Sequence, residues 1–480
     1  MKTRYSSESV MRYFKELCAI PHGSYHVDAI SDYLVDFAKK HNLSVHQDEL
    51  KNVIIKKDAT SGYENEPGII LQGHMDMVAV CDDPAKKDME KEGLDLVEEE
   101  GYLYAKGTSL GGDDGIAIAY ALAILESNEI PHPALEVIIT VNEEVGMDGA
   151  KGIDLSDIRG RRLLNIDSEE EGILTVSCAG GVRVHTSLEG LIEPFTAPVV
   201  FLSLDGLKGG HSGSEIHKGR ANGAHLLADI LLHILDDGYD LRLISMSAGE
   251  KDNAIPNSGS AEFAVTNLGD PEEFISYVES YNDELLKKYE GIEDEIRITI
   301  GVSLPEEGSG YSADDTEDFL EFIEDEPDGV IAICADMDLV ETSLNLGIMK
   351  LDAEGFFCVF ALRSSVASKL EELKERVAKI ADNYDGESEF HGDYPAWEYK
   401  KESPFREKMV EIYRGLYGED PKVEGIHAGL ECGFFVNKIP DLEAVSIGPN
   451  ILDIHTTKEK LDLQSTDRVW DYICAVLSEK

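Results

Sequence analysis

Basic residues are scarce in this chain: 43 Lys and Arg stand against 95 Asp and Glu, leaving a formal net charge of -52 over 480 residues. A surface of that sign repels phosphate backbones and anionic lipid headgroups, so neither nucleic acid nor a membrane is an expected partner. The acidic excess gathers in runs such as 95–100 and 317–328, which read as solvated faces. A saline or acidic habitat is the sharper alternative. Cysteine is sparse as well: Cys18, Cys81, Cys178, Cys334, Cys358, Cys432 and Cys474 are scattered, odd in number and without a Cys-x-x-Cys pair. That pattern argues against a disulfide framework and points to a reducing cytoplasm. Long apolar runs are missing too, with nothing near the roughly 18 residues a membrane span requires. The N-terminal segment leads into an amphipathic helix pattern rather than an apolar signal, so no export or anchoring is expected.

What the chain does contain is a globular composition, 42% hydrophobic and 29% charged, with 43 Gly and 16 Pro spread along its length. Its length suggests more than one domain. The first third alternates helix patterns with short apolar runs, such as 69–72, 135–141 and 163–166, the texture of an α/β sheet layered with helices. In such sheets ligands gather beyond the carboxyl ends of the strands. From about Val182 the texture changes to strands and helices in two similar passes, read as an inserted α+β domain of two related halves. The α/β texture returns after Trp397. The expected organisation is therefore a discontinuous catalytic domain, residues 1–181 and 397–480, interrupted by an insert at 182–396.

Several segments carry chemistry, and each also has a plain structural reading. Leu71-Gln-Gly-His-Met-Asp places His74 and Asp76 two apart at a strand end, pointing to one side. Asp76 can hold the second ring nitrogen of a ligating His74, although His-x-Asp alone reads equally as a surface loop. Gly107-Thr-Ser-Leu-Gly-Gly-Asp-Asp runs from a glycine-rich loop into a helix. Its carboxylates are either caps or, in the functional reading, Asp113 bridging two metal ions with Asp114 in support. Val137-Ile-Ile-Thr-Val-Asn-Glu-Glu ends a β-rich run in adjacent carboxylates, a costly pairing unless a cation or a proton offsets it. Glu144 as metal ligand and Glu143 as general base would use that pair; a solvated turn is the alternative. Asp167 follows an apolar strand directly, as a turn residue or a terminal ligand. His455 stands in a loop before the final helix, where a lone histidine can be purely structural. Taken together, these strand ends and loops deliver imidazole and carboxylate groups to what could be one sheet edge. Such donors suit zinc, cobalt or manganese in an open hydrolytic site. A shared aspartate would allow two ions roughly 3.5–4 Å apart.

This motif order resembles the dinuclear zinc peptidases related to carboxypeptidase G and aminoacylase, and within them the aminoacyl-histidine dipeptidases (Xaa-His dipeptidase, peptidase D). The stretches that carry the resemblance are Gly73-His-Met-Asp-Met-Val, Gly107-Thr-Ser-Leu-Gly-Gly-Asp, Asn142-Glu-Glu-Val-Gly-Met, Asn165-Ile-Asp-Ser-Glu-Glu-Glu-Gly, Cys178-Ala-Gly-Gly and Gly209-Gly-His-Ser-Gly. The resemblance implies an α/β, mixed-sheet catalytic domain with an inserted α+β lid that mediates a homodimer. It implies two divalent ions, zinc foremost, one held by His74, Asp113 and Asp167 and the other by Asp113, Glu144 and His455. Asp76 would orient His74, and Glu143 would take a proton from a metal-bridged water and pass it to the leaving amine. His211 would stabilise the oxyanion. Arg363 would clamp the free carboxylate of a dipeptide substrate, Asn222 would line its pocket, and Glu431 would meet its amino group. The implied reaction is hydrolysis of short unblocked peptides, including Xaa-His and β-alanyl-His. An N-acyl amino acid amidohydrolase and a tripeptidase are the nearest alternatives. The chain departs from the family pattern at Asp114, where the family has Asn, and at Thr456-Thr457, where Ser-Pro is frequent; neither change removes a ligand.

Overall fold

The computed structural model describes residues 5–84 and 86–480, so the first four residues of the expected catalytic domain lie outside the described residues. Contacts divide the chain into two compact units. The first comprises Met1–Ser177, Tyr399–Gly425 and Leu430–Lys480, and the second comprises Cys178–Glu398 with Ile426–Gly429. The divisions fall a few residues from the expected 181/182 and 396/397. Residues 426–429 go with the second unit because the Ala179 N–H donates to the Ile426 and Ala428 carbonyls.

The first unit is built on an eight-stranded mixed sheet. Its centre is the strand Ile69–His74, flanked in parallel by Leu135–Thr140 and Arg162–Asn165, with Glu443–Ser446 parallel to the latter. Val53–Lys57 and Ser44–Gln47 extend the other side antiparallel. Every residue of Ile69–His74 and of Leu135–Thr140 is buried, which explains their continuous apolar runs: strands covered on both faces need no polar alternation. One cover is the helix Gly112–Glu126, buried on all sides from Asp114 to Leu125 and packed on Ile69–His74. The helix Glu8–Cys18 lies against it through Val10, Tyr13, Phe14, Leu17 and Cys18, spaced as one apolar helical stripe.

The second unit holds a nine-stranded antiparallel sheet. Eight of its strands fall into two sets of four, and the ninth, Gly329–Cys334, pairs with Leu339–Asp352. Strands Arg297–Val302, Val199–Asp205, Gly259–Val265 and Leu241–Ala248 form one set; Leu339–Asp352, Gly355–Ser364, Gly180–Leu188 and Glu387–Tyr394 form the other. The sets join through Met246, Ser247 and Ala248 paired with Leu351, Lys350 and Met349. Helices Gly223–Asp236, Pro271–Lys288, Ala313–Asp325 and Ala367–Asn383 all contribute to one core cluster, with Leu227, Phe274, Phe322 and Val377 as members. The run 317–328, read from sequence as a solvated face, is not uniformly so: Phe319, Phe322 and Ile323 are core, and Glu326 at the helix end is only 3% exposed. None of the seven cysteines is in a disulfide. Among the described residues no helix is long and apolar enough to cross a membrane.

Candidate metal centre

Three adjacent parallel strands stop level with one another, because the register pairs His74 with Thr140 and Gln72 with Asn165. The residues that follow each strand, Met75-Asp76, Val141 to Glu144 and Ile166-Asp167, therefore emerge at one sheet edge, the carboxyl edge where such folds bind ligands. The fourth contribution is the loop before Gly112–Glu126, where Gly111 takes the left-handed conformation (φ 67°) and the chain stays non-helical through Asp113 and Asp114.

At that edge His74 Nε2 lies 3.1 Å from Asp113 Oδ1 and 3.3 Å from Asp167 Oδ1. His455 Nε2 lies 3.2 Å from Asp113 Oδ2 and 3.0 Å from Glu144 Oε2. Asp113 thus turns one oxygen to each imidazole. Ligand-type atoms of His74, Asp113 and Glu144 lie within 4.8 Å of one another, and so do those of His74, Asp114 and Asp167. Asp114, 1% exposed, also accepts the His74 backbone N–H. Glu143 follows on the same loop, its N–H donated to Asp76 Oδ1 at 3.0 Å. His455 and Asn142 hold left-handed backbone conformations (φ 59° and 54°), the kind of local strain that persists where surrounding structure over-determines a site.

The charges here are unbalanced. Burial pushes the Asp167 carboxyl up to about 7. Loss of solvent also drives Glu143 well above the carboxylate range, against a counter-pull from His74 and with added push from Asp167, Glu431 and Glu144. Asp113 resists its burial because His455 and His74 hold it below the usual range, and Asp113 and Glu144 raise His455 to about 10. Among the described residues the ion pairs of Asp113, Glu144 and Asp167 are with these two histidines. Glu144 Oε1 is buried without a hydrogen bond. An unsatisfied buried carboxylate oxygen, beside nitrogen and oxygen donors with no thiolate, fits a divalent cation.

The support differs from the expectation at Asp76. His74 Nδ1 meets the Asp76 main-chain carbonyl at 3.0 Å, while the nearest carboxylate oxygen is 3.6 Å away. The Asp76 carboxylate also accepts from the Ser24 hydroxyl and the Glu143 N–H, so it holds the base-bearing loop as well as pairing with His74. Glu431 lies deeper. It is fully buried, its Oε2 accepting from Thr140 Oγ1 and Gln72 Nε2 at 2.6 Å each beneath the strand ends, while its Oε1 has no hydrogen-bond partner. Sequence reasoning missed Glu459. Its Oε2 accepts the N–H groups of Leu110 and Gly111 at 2.7 and 3.1 Å, and its Oε1 those of Gly112 and Asp113 at 2.7 and 3.4 Å. It ties the His455 loop to the loop of Asp113, and its one sequence signal is an acid four residues after His455.

The remaining expected residues lie in the second unit. His211 Nδ1 accepts from the Gly213 and Ser214 N–H groups, at 3.1 Å each, which leaves its proton on Nε2 as a donor. Burial and Arg363 lower its pKa, favouring that neutral form. Arg363, 9% exposed, donates through Nη1 to the Tyr394 hydroxyl at 2.8 Å, and its Nε is buried without a partner. Beside it, His427 is pushed down to about 3 by burial and by Arg363, and pairs with the Ser343 hydroxyl at 2.7 Å. Asn222 is held by the fold: its oxygen caps the helix Gly223–Asp236 and its amide nitrogen donates to the Leu346 carbonyl, Asn345 and Asp328, and the residue stands in the lining of a cavity of the second unit.

Comparison with known proteins gives a consistent picture. The model of peptidase family M20/M25/M40 matches residues 70–479. The chain is 33% identical to the cytosol non-specific dipeptidase of Escherichia coli, covering 99% of this chain and 98% of that one. The crystal structure of aminoacylhistidine dipeptidase from Vibrio alginolyticus superposes with a TM-score of 0.91 at 33% identity, over 99% of this chain and 97% of that one. The aminopeptidase PepT of Bacillus cereus shares the fold, with a TM-score of 0.56 at 16% identity over 98% of each chain.

Proposed function

The chain belongs to peptidase family M20/M25/M40, and from that membership we propose that it is a metal-dependent dipeptidase of the cytoplasm that hydrolyses short unblocked peptides, Xaa-His and β-alanyl-His among them. One observation carries the reading: Asp113 turns an oxygen to each of two imidazoles, with Asp167 beside the first and Glu144 beside the second. The relative named cytosol non-specific dipeptidase, similar from end to end, supports the substrate class and the compartment.

In this reading His74, Asp113 and Asp167 hold one divalent ion, and Asp113, Glu144 and His455 hold the other, zinc being the ion assigned. Bound there, the ions supply Lewis acidity toward a carbonyl and toward water. The chain's own groups do the rest. Glu143 takes the proton of the attacking water and returns it to the leaving amine. Asp76 fixes the loop of Glu143 through its N–H. His211 offers its Nε2 proton to the developing oxyanion, and the guanidinium of Arg363, with no carboxylate partner among the described residues, receives the free carboxylate of the dipeptide. A lid role and a homodimer through the second unit complete the proposal and rest on the family resemblance.

Metal analysis combined with a substrate panel tests it. Purified protein should hold close to two equivalents of metal, lose Xaa-His hydrolysis on chelation, and regain it with zinc, cobalt or manganese. Cleavage of N-acetyl amino acids with dipeptides left intact would move the chain among amidohydrolases and end the dipeptidase reading.

A further inference from the structure

The first unit contains a cavity of about 810 Å³ that reaches Glu144 at one end. Much of its wall is apolar: Met77, Val78 and Val80, which continue the chain beyond the strand that bears His74, line it together with Met89. Its lips are Tyr25 and Val145, which present large apolar side chains to solvent at 64% and 43% exposure. The wall is fastened to the candidate centre. The Tyr25 N–H donates to Asn142 Oδ1 at 2.8 Å, and the Ser24 hydroxyl donates to Asp76 at 2.8 Å. The cavity and the loop carrying Glu143 and Glu144 therefore hold a fixed relation to each other.

A dipeptide has two ends to be recognised. The carboxylate end is assigned to Arg363, which leaves the N-terminal residue without a recognition element. Apolar wall, volume and shared Glu144 suit the side chain of that residue, since a concave apolar site with polar groups at one end is how small ligands are oriented. We propose that this cavity is the specificity pocket for the N-terminal residue, selecting large apolar side chains such as Leu, Met and Phe. Its charged border is mixed: Glu144, Asp88 and Glu90 stand with Lys87 and His26, and Glu90 pairs with His26 at 3.5 Å, so the selection lies in the apolar wall. The inference rests on the dipeptidase reading.

The test is kcat/KM for dipeptides that vary the first residue (Gly, Ala, Leu, Phe, Asp) over a constant His, and then the second residue over a constant Ala. The wild-type enzyme should favour Leu and Phe over Gly by about 10-fold or more, the scale on which apolar pockets discriminate. Val80→Phe, which fills the pocket, should lower the Leu and Phe substrates by about 10-fold while Gly stays within about 2-fold. Val80→Ala leaves space instead of adding bulk and guards against misfolding of the larger variant; it should weaken Leu selectively and by less. A uniform loss across first residues, or a change that follows the second residue, would overturn the pocket assignment while leaving the dipeptidase reading intact. Absence of any dipeptide hydrolysis by the wild type would overturn the reading itself.

Discussion

Glu459 of the first unit and Glu326 of the second are both 3% exposed, yet the first accepts four backbone N–H groups while neither oxygen of the second has a hydrogen-bond partner. Burial alone therefore does not decide what a carboxylate does. Where donors converge, the carboxylate becomes a strut: Glu459 fixes two loops that meet only through the fold, and with them the approach of His455 to Asp113, its N–H donors opposing the upward push of burial on its pKa. Where no donor converges, burial is answered by holding the proton, and Glu326 is pushed up to about 8. The centre in the first unit lies between these cases. Its carboxylates have imidazole partners but too few of them, the condition under which a cation is worth binding.

The sharpest division within the first unit is between strut and reagent. Glu143→Gln should lower kcat on a dipeptide by about 10²–10⁴-fold, the usual worth of a general base. Metal content and thermal stability should stay at the wild-type level, because its backbone N–H and not its carboxyl is tied to Asp76. Mass-spectrometric metal analysis beside steady-state kinetics checks this, and a kcat within a few-fold of wild type would remove Glu143 from the chemistry. Glu459→Ala should do the reverse of a reagent variant. Four N–H groups lose their acceptor, so stability should fall by about 3 kcal/mol, and metal should be lost along with activity. Denaturant unfolding with and without added zinc measures it. Full metal occupancy in Glu459→Ala would mean that the two loops are held apart from this carboxylate.

The strand-end residues were legible because each breaks a buried apolar run: His74, Glu143, Glu144 and Asp167 stand where a strand should have closed on a turn. Their convergence followed from parallel register, which the sequence order of an α/β fold makes probable. The supporting groups were not legible. Asp76 was read as the partner of the His74 ring because the spacing brings them close, but the nearer acceptor is the main-chain carbonyl, and no pattern of side chains announces it. Glu459 finds its donors at Leu110 to Asp113, 346 to 349 residues earlier in the chain, and beyond its place four residues after His455 no local pattern marks it. Asn222 sits at a helix start, and the capping that such a position favours is what it does. Glu326 was hidden for another reason. It belongs to an acidic run in which Glu317, Asp318, Glu321, Glu324 and Asp325 are exposed, and the packing of Phe322 and Ile323 one turn earlier carries it inside.

That difference gives the last test, carried by pH. The Glu326 carboxyl rises from 4.5 to about 8 in the folded chain, first through burial, with Asp325 adding and Arg376 opposing. The folded state therefore binds a proton that the unfolded chain has released between those two values, and stability must fall as pH rises across that window. The contribution is intact below the unfolded value, is lost progressively up to about pH 8, and is flat above it. Glu326→Gln removes the titration but leaves a neutral amide in the same unpartnered position, which itself costs about 1–3 kcal/mol. The full linkage amounts to roughly 5 kcal/mol at most, so the net gain of the variant should be about 2–4 kcal/mol at pH 9. At pH 4.5 the variant should have no advantage. Denaturant unfolding of both proteins, followed through the second unit from pH 4.5 to 9, should show the two curves diverging upward with pH. A constant separation would mean that Glu326 keeps its charge by recruiting donors, and the contrast with Glu459 would disappear.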